Sequence, residues 1–330
     1  MTESTSGWGG GLWAAADLVT PMAVRVAATL RLADHIAAGT RTGAALAEAA
    51  GADPDALARL LGHLVTAGVL TADGGVYALT SMGEHLRDDD PEGIRAWLDL
   101  EGAVGYADLS FVEMLHTVRT GEPGYPRRYG RAFWEDLADD PARSASFDAL
   151  MEAQKTGEAP AIAAAYPWGE LGHVVDVGGG NATLLIAMLE AHDGLRGTLL
   201  ELPGPAARGA EAIRAAGLAA RASSVAGSFF DVMPPGAGGY VLSSVLHNWD
   251  DEDAVRLMRR CAEAVAPGGK VLVVDHFGVA GDSEGDLRML CYFRGRERGL
   301  ERLTELATVA GLSVETVRPG GSRSIVELRR

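Results

Sequence analysis

The 330-residue sequence predicts an α/β protein in which a doubly wound, largely parallel sheet follows a small helical domain of winged-helix plan. Three observations carry this expectation. From about residue 166 onward, apolar runs of strand length alternate with helical patterns, as successive βαβ units require. Before residue 87, three helical segments lead into two short strand-like runs around a glycine turn. The length itself exceeds that of a typical single domain.

Composition narrows the classes of function. With 47% hydrophobic and 22% charged residues the chain can bury real cores, and it shows no low-complexity tract, short repeat or coiled-coil pattern. The formal net charge of −16 opposes polyanionic partners, because nucleic-acid binding rests on neutralising phosphates. No apolar run approaches the roughly 20 residues of a membrane span. The opening MTESTSGWGG lacks the basic and apolar regions of a secretory leader, so a cytoplasmic protein without a membrane partner is expected. Cys261 and Cys291 are too few for a disulfide framework and lack zinc spacing; both are expected as core or helix-face thiols.

Residues 1–86 form the expected first domain. Residues 12–38 read as one long helix with Met22, Val26, Leu30 and Ala33 along one face, and a shorter helix follows over 42–50. The stretch 53–68 then supplies Asp53 as N-cap, Pro54 in the first turn, Leu57, Leu60, Leu61 and Leu64 as apolar positions, and Gly68 as terminator. The runs VLTA and VYALT flank Asp73, Gly74 and Gly75, which is turn chemistry. A winged helix could place its third helix in a DNA groove. Charge argues against that use: residues 1–100 hold six arginines and no lysine against thirteen acids, and the third helix carries only Arg59 as a fixed cation. A packing or dimerisation platform is expected instead, with the apolar first helix buried against a partner chain.

Residues 87–165 read as a helical, aromatic-rich segment containing Trp97, Tyr106, Phe111, Phe133, Trp134 and Phe147. Such a segment can wall a pocket for a flat ligand. The stretch GEPGYPRRYGR reads as a loop whose Arg127, Arg128 and Arg131 either receive an anionic group or form internal ion pairs, the second being favoured.

Residues 166–330 form the expected sheet domain. HVVDVG, GTLLELPG, SSVAGSFF, GYVLSSVLH and GKVLVVDHF read as strands, with helices over 181–192, 205–217 and 250–266. Ligands on such sheets sit beyond the carboxyl ends of the strands. At the first such end stands Asp176-Val-Gly-Gly-Gly-Asn-Ala-Thr183. Gly178 and Gly180 match the first two glycines of a dinucleotide fingerprint, but Thr183 occupies the third position. The D-x-G-x-G pattern instead suits a cofactor with a charged amino-acid end in place of a pyrophosphate. Glu201 closes the second strand, where a carboxylate can accept both hydroxyls of a ribose. Gly227, Ser228 and Phe229 follow the third, offering an aromatic face and a polar edge to an adenine. An adenosine whose other end is not phosphate describes S-adenosylmethionine.

DVGGG, LLELPGP, VAGSFF, VLHNWDDEDAVRLMRRCAEAVAPGGKVLVVD and GRERG, in this order and spacing, resemble the S-adenosylmethionine-dependent O-methyltransferases of small aromatic molecules, among them plant caffeate-type enzymes and bacterial enzymes that tailor aromatic polyketides. The resemblance spans nearly the whole chain. It implies a Rossmann-like class I methyltransferase domain behind an N-terminal winged-helix dimerisation domain, a homodimer, S-adenosylhomocysteine as product and no metal. It further implies that Gly178 and Gly180 pass near the methionine moiety, that Glu201 binds the ribose, that Ser228 and Phe229 meet the adenine, and that Ser243 contributes near the methionine end. Ser228 departs from the Asp common in the family. Met151, Met289 and Phe293 are implied around the acceptor ring.

By the same resemblance His247, just beyond the fourth strand, is the general base, with Glu297 as the stronger and Asp275 as the lesser flanking carboxylate. A phenol of pKa near 10 is ionised to only about one part in a thousand at neutral pH. An imidazole near 6.5 can take that proton as the oxygen attacks a sulfonium methyl. Asp250 reads as an N-cap, and Asp251, Glu252 and Asp253 as a first helical turn suited to the helix dipole rather than to a metal. Trp249 reads as packing, and Asn248 as a possible contact to the acceptor. Two other readings compete: a relative that binds the same cofactor but hydroxylates or decarboxylates its substrate, and a non-enzymatic winged-helix regulator. Retention of both His247 and Glu297 favours the transferase.

Overall fold

The computed structural model describes residues 11–231, 233–277 and 283–330; the opening MTESTSGWGG lies outside them. The chain divides into two compact units, one ending at Tyr106 and one spanning Ala107–Arg330. Three segments were expected from sequence.

In the first unit the expected long helix is broken into α1 (Gly11–Ala16), α2 (Val19–Thr29) and α3 (Leu32–Ala37). Asp17 interrupts the first junction by accepting from the backbone N–H groups of Val19 and Thr20. Arg31 interrupts the second with a left-handed φ of 52°, a conformation no helix interior accommodates. Periodicity alone could not reveal these breaks, since the apolar face continues across them. α4 (Gly43–Ala49) and α5 (Pro54–Thr66) begin at the side-chain caps Thr42 and Asp53. β1 (Leu70–Asp73) and β2 (Val76–Leu79) pair antiparallel around Gly74 and Gly75. Leu57, Leu61 and Leu64 of α5 are buried, whereas Leu60 is only partly so. Arg59, the one fixed cation on this helix, pairs with Asp55 on its own helix. Leu12, Trp13, Leu18 and Val19 are exposed. The short helices α6 (Ser81–Glu84), α7 (Ile94–Leu98) and α8 (Ala103–Asp108) follow.

The second unit opens with α9 (Met114–Thr120), α10 (Gly124–Tyr129), α11 (Phe133–Asp139) and the long α12 (Pro141–Ala165). The arginine stretch expected as a loop is therefore mostly helix α10. Then come β3 (His173–Val177), α13 (Thr183–Ala191), β4 (Arg196–Glu201), α14 (Pro203–Ala215), β5 (Ala222–Ala226), β6 (Gly239–Ser243), α15 (Asp251–Ala264), β7 (Lys270–Asp275), α16 (Ser283–Phe293), α17 (Leu300–Val309), β8 (Ser313–Gly320) and β9 (Arg323–Arg329). The seven-stranded sheet runs β5-β4-β3-β6-β7-β9-β8, parallel except at β9, which is antiparallel to both β7 and β8.

Period-two alternation sends neighbouring strand residues to opposite faces. Val175, Leu242 and Val273 join one buried cluster with α15 and α17, while Val174, Val241 and Leu272 join the other with α12 and α13. Both faces are covered, as a parallel sheet requires. Strand order reverses between β3 and β6. The crevice at their carboxyl ends is where this topology places ligands.

Candidate active site

The turn after β3 has a geometry that fixes its glycines. Gly178 and Gly180 adopt φ of 71° and 62°, a region that disfavours side chains. Gly179 is needed for space, since a Cβ there would lie 2.2 Å from the Asp176 carboxylate. Glu201, at the end of the neighbouring β4, braces this turn by accepting from Gly180 N–H at 3.1 Å and from Leu202 N–H at 2.6 Å. Burial raises its pKa above the ordinary glutamate value despite those two bonds. Gly227 N–H donates to the Glu201 carbonyl at 2.8 Å, drawing the segment after β5 alongside. Phe229 lies there against Gly178, whose added Cβ would stand 3.4 Å from its ring. Ser228 Oγ accepts from Phe230 N–H. Ser243 is buried at the end of β6. The fold thus brings Gly178, Gly180, Glu201, Gly227, Ser228, Phe229 and Ser243 to one sheet edge.

Asp176 is fully buried on β3, and neither carboxylate oxygen has a hydrogen-bond partner among the described residues. Burial pushes its pKa up to about 6, partly countered by the charge of Lys155 on α12. An orphaned buried carboxylate is costly, and its persistence at a ligand crevice fits a cationic ligand group nearby. Exchange for Asn is therefore expected to raise the melting temperature of the ligand-free protein near neutral pH, by removing a penalty on the order of 3 kcal/mol. The folded pKa lies above the ordinary aspartate value of 3.8. The wild type therefore gains stability as pH falls through about 6 towards 4, and the advantage of the variant fades over that window. Thermal melts across this range test the point; a variant less stable near pH 8 would refute it.

His247 sits in a short 3-10 turn, Leu246–Asn248, just past β6. Its Nδ1 lies 3.2 Å from Glu297 Oε1 and 3.7 Å from Asp275 Oδ1. Burial alone would depress the imidazole pKa; the charge of Asp275, and the hydrogen bond and charge of Glu297, outweigh it and hold the pKa above the ordinary value. Glu297 is correspondingly lowered: its burial is overcome by the hydrogen bond and charge of His247. Asp275 is engaged elsewhere, accepting from His276 N–H at 2.9 Å and facing Arg323 at 3.7 Å. That division makes Glu297 the closer partner. His247 Nε2 makes no hydrogen bond among the described residues, which leaves it available to an acceptor.

The Glu297 segment is held against the His247 turn by backbone contact. Arg296 N–H donates to the His247 carbonyl at 2.8 Å. Gly295 packs so closely that a Cβ would lie 2.2 Å from that oxygen. Asn248 turns back to its own chain, with Nδ2 donating to the Ser244 carbonyl at 3.4 Å. Trp249 packs edge-on against Phe229 and Phe230, as expected.

An aromatic wall surrounds Phe293 of α16. Its ring stacks on Trp134 at 5.2 Å between centroids and meets Phe133 edge-on at 4.8 Å, while Phe147 of α12 packs against both Phe133 and Trp134. Trp134 Nε1 is buried without an acceptor among the described residues. Met151 and Met289 are partly buried on the helices that carry Phe147 and Phe293. Arg127 pairs with Glu113, and Arg131 with Asp139; Arg128 lies over the Tyr129 ring. Internal ion pairing is what sequence favoured for Arg127 and Arg131.

Residues 111–313 match the family model described as an O-methyltransferase domain, and residues 13–88 match the O-methyltransferase dimerisation domain. The chain belongs to the O-methyltransferase family. Among its relatives, the 2,7-dihydroxy-5-methyl-1-naphthoate 7-O-methyltransferase of Streptomyces carzinostaticus is 58% identical, over 96% of this chain and 97% of that protein. The aclacinomycin 10-hydroxylase RdmB of Streptomyces purpurascens is 47% identical, over 94% of this chain and 85% of that one. Among solved structures, an O-methyltransferase (NcsB1) from neocarzinostatin biosynthesis, in complex with S-adenosylmethionine and 2-hydroxy-5-methyl naphthoic acid, superposes with a TM-score of 0.93 at 58% identity, covering 97% of this chain and 98% of that one.

In this methyltransferase the sequence located the histidine and its acids but not the groups that hold them. Asp251 is more than a helix-dipole residue, since it pairs with Arg298 and Arg302. Arg323 and Glu158, which pair beside Asp275, and the unpartnered Trp134 Nε1 also escaped notice. A lone arginine or tryptophan carries no spacing signal. Only the fold shows what it faces.

Proposed function

We propose that this methyltransferase transfers a methyl group from S-adenosylmethionine to a phenolic hydroxyl of a fused-ring, hydroxynaphthoate-like aromatic, with His247 as the general base. The observation that carries the reading is the imidazole pinned through Nδ1 by Glu297, with Nε2 unengaged, on the sheet edge that also holds the glycine turn and Glu201. When bound, S-adenosylmethionine supplies an electrophilic methyl on a sulfonium. Asp176, buried without a partner, suits the cationic amino end of that cofactor. Glu201 suits the ribose diol, because each of its oxygens keeps a lone pair beyond the one already used. Ser228 and Phe229 are assigned to the adenine, and Gly178, Gly180 and Ser243 to the methionine end. His247 takes the hydroxyl proton, and Glu297 and Asp275 stabilise the imidazolium. Phe293, Met151 and Met289, together with Trp134, wall the flat acceptor. The indole N–H is available to a ring oxygen, and Asn248 to a substituent.

The test is incubation with S-adenosylmethionine and 2,7-dihydroxy-5-methyl-1-naphthoate, followed by mass spectrometry. A mass gain of one CH2 unit with release of S-adenosylhomocysteine is expected. A gain of one oxygen atom would instead favour the chemistry named for the hydroxylase relative.

Turnover is expected to persist within about twofold in excess EDTA. His247, Asp275 and Glu297 stand close enough to hold a cation, with their ligand atoms within 4.8 Å of one another. Arg323 beside Asp275 opposes a second positive charge there. Loss of activity on chelation, restored by one metal, would reassign the trio.

The chain is further assigned to a homodimer formed through the N-terminal unit. Its exposed Trp13, Leu18 and Val19 are apolar surface suited to burial against a second copy. Leu18→Glu combined with Val19→Glu is expected to shift the mass measured by light scattering from dimer to monomer.

A further inference from the structure

We propose that Arg298 is a positioning residue that holds His247 and Glu297 at their working separation; the proposal rests on the reading of His247 as the base. Arg298 is 7% exposed and directly follows Glu297 in the chain. Its guanidinium donates to the Leu246 carbonyl and to the Trp249 carbonyl, each at 2.7 Å. Those two carbonyls bracket His247. One planar cation therefore joins the turn carrying the base to the segment carrying its acid, and the pairing of imidazole and carboxylate depends on this graft.

Asp251 completes the device. The Arg298 Nε donates to Asp251 Oδ1 at 2.9 Å, and the other oxygen of Asp251 accepts from Arg302 at 2.6 Å. The carboxylate compensates a buried cation that would otherwise be costly and fixes the rotation of the guanidinium about its own axis. Only Arg presents rigid, divergent donors able to reach both carbonyls and the acid together; an ammonium is a single compact point. The Arg296 N–H bond to the His247 carbonyl is a second strap. It involves backbone alone and leaves the turn free to pivot when Arg298 is lost.

The experiment uses the full-length enzyme with S-adenosylmethionine and a methylatable hydroxynaphthoate. Arg298→Lys is expected to lower kcat by about 10- to 100-fold, the scale of a misplacement near 1 Å, while cofactor affinity and acceptor KM stay within about twofold. Asp251→Asn should show a smaller loss of the same kind. Nitrogen-15 NMR of the histidine rings supplies the readout that mere destabilisation would not move. The charged groups around His247 are Asp275 of β7, Glu297, Arg323 of β9, and Arg296 and Arg298 of the Glu297 segment, and all five charges are retained in both variants. A shift of the His247 midpoint towards the ordinary imidazole value would thus report a lengthened contact with Glu297. Arg298→Ala with added guanidinium ion should regain part of the lost kcat.

An unchanged His247 titration in Arg298→Lys overturns the proposal, and so does an unchanged kcat. If that variant does not fold, Asp251→Asn carries the same two readouts. Wild-type turnover by His247→Gln would overturn the base reading instead, while the NMR titration still decides whether Arg298 sets the geometry.

Discussion

Replacing His247 with glutamine is expected to lower kcat by about 10²- to 10⁴-fold, the span general-base catalysis supplies, with S-adenosylmethionine affinity held within about twofold. Glutamine keeps much of the volume and a polar end but cannot accept the proton. The cofactor turn is built from other strands, around Gly178, Gly180 and Glu201, so binding and chemistry should separate. Calorimetric titration alongside single-turnover rates checks this; a variant that turns over at wild-type speed would remove His247 as the base. The pH profile gives an independent sign. Asp275 and Glu297 raise the His247 pKa against the opposing effect of burial, so the neutral, working form accumulates only above the ordinary 6.5. Wild-type kcat is expected to rise with pH through a midpoint above that value. Glu297→Gln removes a charge that favours the imidazolium, so its acid limb should move to lower pH while its plateau falls.

The sheet domain was legible where periodicity and chemistry coincide. The five parallel strands announce themselves as apolar runs, each ending at a glycine or a polar group, and those ends became the site. β8 and β9 lie outside that pattern, since Ile325, Val326, Glu327 and Leu328 are all buried and show no period-two alternation. Pro319 and the irregular register between Val314 and Thr316 blur β8. In the first unit the caps Asp53 and Thr42 mark two helices, and Pro21 in the first turn of α2 is consistent with the break at Asp17; the break at Arg31 has no glycine or proline beside it. Gly121, Pro123 and Gly130 read as breakers and predict a loop around the arginines of α10; in the structure Pro123 and Gly130 cap the helix instead. Charge partners were the least legible level. Asp251 lies within an acidic first turn that a helix dipole explains well enough, and nothing in the local sequence says that Arg298 reaches back to it.

Removing the Glu201 carboxylate is the other change with a large expected effect, on cofactor affinity rather than on the chemical step. Hydrogen bonds to a charged group contribute about 1.5–3 kcal/mol each, so loss of the two ribose diol contacts in Glu201→Ala should weaken S-adenosylmethionine binding by about 10²- to 10⁴-fold. Glu201→Gln retains one acceptor oxygen and should fall between that variant and wild type. The same carboxylate also braces the glycine turn through Gly180 and Leu202, so the alanine variant is expected to lose thermal stability as well. The two roles separate experimentally. A lowered melting temperature with unchanged affinity would make Glu201 a brace alone. A loss of affinity in the glutamine variant, with its melting temperature near wild type, would tie the carboxylate to the ligand. Once saturated with cofactor, both variants should approach the wild-type kcat, because the His247–Glu297 pair is built on β6 and the segment after α16, away from the end of β4. Low kcat at saturation would mean that the ribose contact also aligns the methyl group with the acceptor oxygen, a coupling expected wherever remote binding energy orients the reacting atoms.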